Sequence, residues 1–259
     1  MFRKLKKPYI IAEVGSNHNG NFKNCYKAID SAKKSGADCI KFQLYDENYL
    51  AHPKLKTLNY IKNNSFKYQR DRFKSLKLNI DLVKKLFIYS KKKKIDFCIT
   101  SFPENFVDEL KNYVTFFKIA SGDLNYYPLL DKIKKSGKYA VLSTGMSSYE
   151  DIANAIKKLN KKKLALLHCI ASYPTPQNSL NLDNIRHLKK EFKLPTGFSD
   201  HSEGIEASFF SIFFGSIIIE KHFLPSDKTS RVADQLLSIT PTQMKNLKNR
   251  IDKYFCFIG

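Results

Sequence analysis

The sequence predicts a single α/β domain folded as a (β/α)8 barrel. Eight short apolar runs recur along the chain, and a segment with helical spacing follows each of them. Strands buried on both faces, as in a parallel sheet, form nearly continuous apolar runs. The length of 259 residues is that of one such barrel. An open, doubly wound sheet is the alternative, because periodicity does not show whether a sheet closes.

Strands and helices alternate one for one. The predicted strands are residues 9–14, 39–44, 95–100, 116–120, 139–143, 164–168, 196–199 and 216–221. The predicted helices are residues 24–35, 80–92, 103–112, 127–136, 149–159, 182–192, 204–214 and 241–254. Two longer stretches, 45–79 and 226–237, interrupt the alternation. The first is predicted to be a loop or a short extra helix over one end of the barrel.

Composition excludes several classes of protein. Hydrophobic residues make up 42% of the chain, enough for a sizeable core, so a disordered chain is excluded. No apolar run approaches the roughly 18 residues of a membrane span, and the first residues lack a signal-peptide core, so we expect a cytoplasmic protein. The five cysteines are scattered and odd in number, which argues against a disulfide framework or a zinc knuckle.

The net charge of +21 raises the question of a nucleic-acid partner. Only six of the 45 basic residues are Arg, and the Lys residues are spread over the predicted helices. Proteins that recognise nucleic acids favour Arg, because its guanidinium group forms bidentate hydrogen bonds. The pattern therefore indicates solvated helix faces, and no nucleic-acid partner is expected.

The predicted strands end in polar residues, at the edge of the barrel that carries active sites in this fold. These residues include Glu13, Lys41, Gln43, Thr100, Lys118, Ser143, His168, Ser199, His201, Glu220 and His222. Lys41 and Lys118 each stand between apolar neighbours, where an unpaired ammonium group costs several kcal/mol. They are either functional, as an anion pocket with nearby hydroxyl groups, or they point to solvent at a sheet edge.

His201 and His222 are the candidate metal ligands. They end consecutive strands, and Glu13 would lie beside them if strand one pairs with strand eight. Two imidazoles with open positions suit Mn, Fe, Co or Zn, whereas Mg prefers oxygen ligands. Buried histidines without a metal are the alternative.

The run Ser199-Asp200-His201 is not expected to be a catalytic triad. Consecutive strand residues point to opposite faces, so the three side chains cannot converge. His168 is left open between a core and a functional role.

Seven motifs make the sequence similar to the N-acetylneuraminate (sialic acid) synthase family, which includes legionaminate and pseudaminate synthases. In order they are Ile-Ala-Glu-Val-Gly-Ser-Asn-His-Asn-Gly (11–20), Gly-Ala-Asp-Cys-Ile-Lys-Phe-Gln (36–43), Phe-Lys-Ile-Ala-Ser-Gly-Asp (117–123), Leu-Ser-Thr-Gly-Met (142–146), Leu-Leu-His-Cys with Tyr-Pro-Thr-Pro (166–176), Gly-Phe-Ser-Asp-His (197–201) and Glu-Lys-His-Phe (220–223). The resemblance spans residues 11 to about 237.

The resemblance implies an enzyme that condenses phosphoenolpyruvate (PEP) with the aldehyde of an N-acyl amino sugar, giving a nonulosonate and phosphate. It assigns a divalent metal to His201 and His222, with Mn expected and Mg or Co as alternatives. It assigns PEP binding to Lys41, Thr100, Lys118, Ser121, Ser143 and Ser199. It assigns the sugar to Gln43, Asp123 and Tyr173, and catalytic roles to Glu13, Lys41, Lys118 and Asp123.

The sequence departs from the family pattern at several places. Asp123 replaces the usual Glu, Ala171 replaces an Asn that holds PEP, with Ser172 as a candidate substitute, and Val-Ala-Asp at 232–234 replaces Gly-Pro-Asp. Family members carry a C-terminal antifreeze-like domain that, in a domain-swapped dimer, reaches an Arg into the partner's sugar site. We expect residues 1–259 to hold the barrel domain alone. Either the chain is a barrel-only member, or a separate chain supplies the lid, or sugar binding is degraded; a homodimer is a candidate assembly.

Two other functions fit the same barrel. One is a divalent-metal aldolase or epimerase that acts on a sugar phosphate without consuming PEP. The other is a non-catalytic barrel that binds an anion or serves as a partner subunit.

Overall fold

The computed structural model describes residues 1–57, 66–228 and 236–259. Eight parallel strands form a closed barrel in sequence order, with β1 hydrogen-bonded to β8. The strands are β1 (Tyr9–Glu13), β2 (Cys39–Tyr45), β3 (Asp96–Phe102), β4 (Phe116–Ile119), β5 (Tyr139–Ser143), β6 (Leu164–Cys169), β7 (Thr196–Asp200) and β8 (Ile218–His222). The predicted barrel is confirmed, and the open sheet is excluded.

Helices lie between consecutive strands along the chain. They are α1 (Phe22–Lys34), α2 (Glu47–Leu50), α3 (Gln69–Leu76), α4 (Ile80–Lys92), α5 (Phe106–Leu110), α6 (Tyr127–Ser136), α7 (Tyr149–Lys158), α8 (Asn184–Phe192), α9 (Glu206–Phe210) and α10 (Pro241–Phe257). Two predicted helices, 103–112 and 204–214, are shorter α-helices that continue as 3-10 turns, Lys111–Tyr113 and Ser211–Phe214. No helix in the described ranges is long and apolar enough to cross a membrane.

The two interruptions of the alternation have different outcomes. The stretch 45–79 contains α2 and α3, so it is more helical than the predicted loop or single helix. Lys77 holds its two ends together, because the ammonium group lies 3.2 Å from Asp46 and 2.9 Å from Glu47. Residues 58–65 of this stretch, and residues 229–235 with the departure at 232–234, lie outside the described residues.

The barrel interior is built in layers, because every second residue of a strand points inward. A lower layer is apolar and includes Ile11, Cys39, Phe116 and Leu167. Two residues further along, β1 and β2 carry Glu13 and Lys41 opposite each other. Outward-facing apolar residues pack on the helices, which explains the nearly continuous apolar runs. The alternation thus sends one charged layer to the carboxyl end of the barrel.

The amino-terminal segment closes the opposite end. Phe2 is only 2% exposed, and its ring packs edge-on against Phe116, Tyr9 and Tyr139 at centroid distances of 5.3, 5.9 and 6.1 Å. The terminal amino group of Met1 donates a hydrogen bond to the Tyr139 hydroxyl at 3.0 Å. The first turn of the chain is therefore part of the core.

Replacing Phe2 by Ala is expected to lower the free energy of unfolding by about 3 kcal/mol, the lower end of the range for a buried Phe, because a terminal segment can detach locally. Denaturant unfolding followed by circular dichroism measures the change. Phe22→Ala is the matched control, because that ring is 46% exposed, and surface changes usually shift stability by less than about 0.5 kcal/mol. Equal effects of the two changes would contradict the packing role of Phe2.

Candidate active site

A cavity of about 250 Å³ opens at the carboxyl ends of the strands; we call it the site cavity. Eleven of the twelve residues predicted for the site line it, with Asp123 as the exception. They are Glu13, Lys41, Gln43, Thr100, Lys118, Ser121, Ser143, Tyr173, Ser199, His201 and His222. Closure of the barrel brings together residues that are as much as 209 positions apart in the chain, from Glu13 to His222.

The two lysines predicted from their apolar neighbours point into this cavity and not to solvent. The Lys41 ammonium lies 2.7 Å from Glu13 and donates a hydrogen bond to the Thr100 hydroxyl at 3.0 Å. The Lys118 ammonium donates to the Ser143 hydroxyl at 2.7 Å and to the carbonyl oxygen of Ile119 at 3.2 Å. Both side chains are almost fully buried, so the cavity holds two desolvated positive charges.

Glu220 lines the site cavity, although the predicted site gave it no role. Its carboxylate lies between the two ammonium groups, 3.9 Å from Lys41 and 3.6 Å from Lys118, and accepts a hydrogen bond from the Ser199 hydroxyl at 3.0 Å. A signal existed in the sequence, because Glu220 stands two residues before His222 in one strand and so faces the same side. Glu220 therefore neutralises part of the positive charge of the lysines.

The two carboxylates of the cavity have pKa values displaced in opposite directions. Burial raises the pKa of Glu13 above its usual range, although Lys41 opposes the shift. Burial alone would also raise the pKa of Glu220, but Lys118 and Lys41 outweigh it and lower that pKa to about 2. Pairs of acids whose pKa values are pushed apart are typical of catalytic sites, with one held as an anion and one able to carry a proton.

The imidazoles of His201 and His222 face each other at a centroid distance of 5.5 Å, and Tyr173 stacks on His201 at 4.2 Å. Nδ1 of His201 lies 2.9 Å from the carbonyl oxygen of Ile170 and donates a hydrogen bond to it. Nε2 then keeps its lone pair, the arrangement found in metal-binding histidines. Within the described ranges no group of three or more His, Cys, Asp or Glu side chains has metal-binding geometry. The two facing imidazoles are nevertheless donors of the kind that divalent transition metals accept.

The Ser199-Asp200-His201 run is not a triad, as the strand alternation predicts. Ser199 and His201 line the cavity, whereas Asp200 is buried on the outer side and pairs with Lys221 at 3.2 Å. Asp200 also accepts hydrogen bonds from the Ser202 hydroxyl at 2.6 Å and the Ser208 hydroxyl at 2.5 Å. This buried network fixes the end of β7 and hence the position of His201.

Two further expectations are resolved by hydrogen bonds. His168 is a core residue, because its Nε2 lies 2.7 Å from the carbonyl oxygen of Leu180 and its ring stacks on Phe198. Ser172 does not take over the role of the missing Asn. Its hydroxyl donates to the carbonyl oxygen of Pro174 at 3.1 Å, and Ala171 is the residue that lines the site cavity.

The catalytic and sugar-binding roles of Asp123 stay predictions. Asp123 follows β4 in a 3-10 turn (Ser121–Asp123) and lines a neighbouring cavity of about 540 Å³, which we call the side cavity. Its carboxylate is still within the electrostatic reach of Lys118, a residue of the site cavity.

Replacing Asp123 by Asn is expected to stabilise the fold at neutral pH. Burial raises the pKa of Asp123 to about 6, although Lys118 opposes the shift. A protein that contains a carboxyl group with a raised pKa in the folded state loses stability as pH rises. The loss runs from about pH 4, the pKa of the group in the unfolded chain, to about pH 6. Because the side chain is partly exposed, we expect Asp123→Asn to raise the free energy of unfolding by about 1–2 kcal/mol at pH 7 and by almost nothing at pH 4. Thermal unfolding at both pH values measures this, and a gain that does not depend on pH would contradict it.

Fold and site together define a class of protein. It is a closed (β/α)8 barrel with a polar cavity at the carboxyl ends of its strands, where two buried ammonium groups and two imidazoles converge. In this fold such a cavity is the location of enzyme active sites, and the buried positive charges suit an anionic substrate.

Comparisons with known proteins identify the family. The model of the NeuB family matches residues 28–259, and the chain belongs to the NeuB family. An uncharacterised protein of Methanocaldococcus jannaschii is 43% identical over 96% of this chain and 71% of its own length. N,N'-diacetyllegionaminic acid synthase of Campylobacter jejuni is 37% identical over 95% of this chain and 76% of its own length.

A solved structure supports the same family. The crystal structure of N-acetylneuraminic acid (sialic acid) synthetase from Leptospira borgpetersenii, in complex with citrate, matches with a TM-score of 0.87 and 32% identity. The match covers 98% of this chain and 86% of that one. The predicted membership of the sialic acid synthase family is confirmed.

Proposed function

We propose that this chain condenses PEP with the aldehyde of an N-acyl amino sugar and releases inorganic phosphate and a nonulosonate. The observation that carries the proposal is the pair of buried ammonium groups, Lys41 and Lys118, in a cavity that also holds two facing imidazoles. Membership of the NeuB family supports it, as do the synthase names of the relatives.

The lysines and hydroxyl groups of the cavity would bind PEP. PEP carries a phosphate and a carboxylate, and charge-assisted hydrogen bonds from ammonium groups suit both. Thr100 and Ser143 already accept hydrogen bonds from Lys41 and Lys118, so each lysine has a defined direction before the ligand arrives. Ser121 and Ser199 add two further hydroxyl groups to the cavity.

His201 and His222 would hold a divalent metal, with Mn as the proposed ion. When bound there, such an ion supplies Lewis-acid polarisation of the sugar aldehyde. The chain fixes one ligand nitrogen through the hydrogen bond of His201 to Ile170, and Tyr173 restricts the same ring by stacking on it.

The reaction is balanced without a redox cofactor. C3 of PEP forms a bond to the aldehyde carbon, and water adds to C2 of the resulting oxocarbenium ion. The tetrahedral intermediate then loses phosphate by breaking its C–O bond. One proton of the water ends on the new sugar hydroxyl and the other on the released phosphate. Glu13, buried beside Lys41, is the candidate to hold the proton that is moved, and Glu220 balances the charge of the lysines.

The test is phosphate release by the purified protein with PEP, Mn and a panel of N-acetylated hexoses. Release that requires PEP, sugar and Mn together is the expected result. Consumption of a sugar phosphate without PEP would instead support the aldolase or epimerase. PEP binding by calorimetry without release for any sugar would support the non-catalytic barrel and overturn the proposal.

A further inference from the structure

Two charged residues next to the candidate metal ligands form a buried ion pair. The Asp200 carboxylate lies 3.2 Å from the Lys221 ammonium, and both side chains are fully buried. The two residues are register partners on β7 and β8. Each directly precedes a candidate ligand, His201 or His222, in the sequence. Because successive strand residues face opposite sides, the ion pair lies behind the imidazoles, outside the lining of the site cavity.

His201 lies just beyond the regular part of the sheet. The register pairing of β7 with β8 ends at Asp200, and its pairing with β6 ends at Ser199. His222, by contrast, is paired in register with Glu13 of β1. The position of His201 relative to His222 therefore depends on bonds other than those of the strand ladder.

Hydrogen bonds from the segment after β6 hold the ring and the backbone of His201. Its Nδ1 donates to the carbonyl oxygen of Ile170 at 2.9 Å, and its own carbonyl oxygen accepts a hydrogen bond from the Thr175 backbone N–H at 2.9 Å. These contacts orient the imidazole. They do not set its distance from His222, because His222 belongs to β8.

The ion pair connects the segment around His201 to β8. The Lys221 ammonium donates a hydrogen bond to the carbonyl oxygen of Ser202, the residue after His201. Asp200, the residue before His201, accepts hydrogen bonds from the backbone N–H and the hydroxyl of Ser202 at 2.8 and 2.6 Å. The residues on both sides of His201 are thus bonded to Lys221, which stands next to His222.

Stability alone does not account for this ion pair. Replacing a buried ion pair by well-packed apolar residues often leaves a protein equally stable or makes it more stable. Positioning of metal ligands is a different requirement, because loss of the residues that support a ligand typically weakens metal binding by about 10- to 100-fold. Asp200 and Lys221 meet that requirement for two candidate ligands at once.

We propose that the Asp200–Lys221 ion pair sets the separation of His201 and His222 and thereby the affinity of the site for a divalent metal ion. Asp200 and Lys221 are positioning residues, since neither lines the site cavity. This inference rests on the proposed function, because it assumes that the two imidazoles share a metal ion.

The experiment measures the Kd for Mn, without PEP or sugar, by electron paramagnetic resonance of the free ion, and stability by thermal unfolding. The double variant Asp200→Asn/Lys221→Met removes both charges, so it should unfold near the wild-type temperature. Its Kd for Mn should nevertheless rise about tenfold or more. A variant that unfolds near the wild-type temperature and binds Mn with the wild-type Kd would overturn the inference.

Tyr9→Phe is the matched control for the loss of a buried polar contact. The Tyr9 hydroxyl donates a hydrogen bond to the Asp96 carboxylate at 2.5 Å, at the opposite end of the barrel. This variant should unfold at a lower temperature and keep the wild-type Kd for Mn. Equally weakened Mn binding in Tyr9→Phe would show that Mn affinity only follows stability, and would overturn the inference.

A milder variant decides the question if the double variant does not fold. Ser202→Ala removes one hydroxyl group that donates to Asp200. It should raise the Kd for Mn about threefold, a change within the range for one hydrogen bond. An unchanged Kd in Ser202→Ala would then overturn the inference.

Mn binding and phosphate release separate the two proposals. If the wild type binds Mn and the double variant binds it more weakly, the inference stands even when no phosphate is released from PEP with any sugar. If the wild type binds no Mn, or binds it as well as the variant His201→Ala/His222→Ala does, the inference is overturned whatever the phosphate assay shows.

Discussion

Replacing Lys118 by Met is expected to reduce PEP-dependent phosphate release by about a hundredfold or more, the usual loss when one buried group that stabilises developing charge is removed. Lys118 is 4% exposed and directed by Ser143 and the carbonyl oxygen of Ile119, so no water takes its place easily. PEP affinity, measured by calorimetry, should fall in the same variant.

The Lys118→Met substitution also removes a counter-charge of Glu220. Breaking a buried ion pair from one side costs about 3–5 kcal/mol, so Lys118→Met should also be less stable. The double variant Lys118→Met/Glu220→Gln is the control, because it removes both charges. It should regain much of the lost stability and none of the PEP affinity. Recovery of PEP binding in the double variant would show that Lys118 acts only as a structural partner of Glu220.

The double variant His201→Ala/His222→Ala is expected to lose Mn binding, measured directly by electron paramagnetic resonance of the free ion. Phosphate release should fall by about a hundredfold or more, because Lewis-acid polarisation contributes several kcal/mol and each 1.4 kcal/mol is tenfold in rate. A chelator should abolish release by the wild type, and added Mn should restore it.

His187→Ala is the matched control for the metal prediction. This histidine lies on α8 with its side chain 59% exposed, and it pairs with Asp183 at 3.0 Å, away from the cavity. It should leave both Mn binding and phosphate release unchanged. Mn-dependent release that survives in the double variant would exclude His201 and His222 as the metal ligands.

The fold could be predicted because each strand has a physical signature of its own. Helices α4 and α6 and strand β5 begin and end where the apolar spacing places them. The ends of β3 and β8 were placed two residues and one residue too early, because polar residues such as Ser101 and His222 look like loop residues. Both errors lie where the strands enter the layer of candidate active-site residues. Strand residues in that layer are polar for functional reasons, so the apolar pattern of a buried strand stops before the strand does.

The site was predicted less evenly than the fold. Lys41 and Lys118 stood out because a buried ammonium group is costly, and the histidine pair stood out at consecutive strand ends. Glu220 was listed among the polar strand-end residues but was given no role, because its position between the lysines of β2 and β4 depends on the tertiary structure. Asp123 was assigned to catalysis and to the sugar from a motif, and the turn after β4 places it at the side cavity.

The sequence by itself determined the eight βα units, the layer of polar residues at their carboxyl ends and the family to which the motifs belong. Those features are local, since they follow from spacing and from the cost of burying charge. The tertiary structure alone decided that β1 pairs with β8, that Glu220 sits between the lysines and that a second cavity, whose described lining holds neither Lys nor Arg, shares residues with the first. Closure of the barrel sets the distances between residues that are far apart in the chain, and charge pairing depends on those distances.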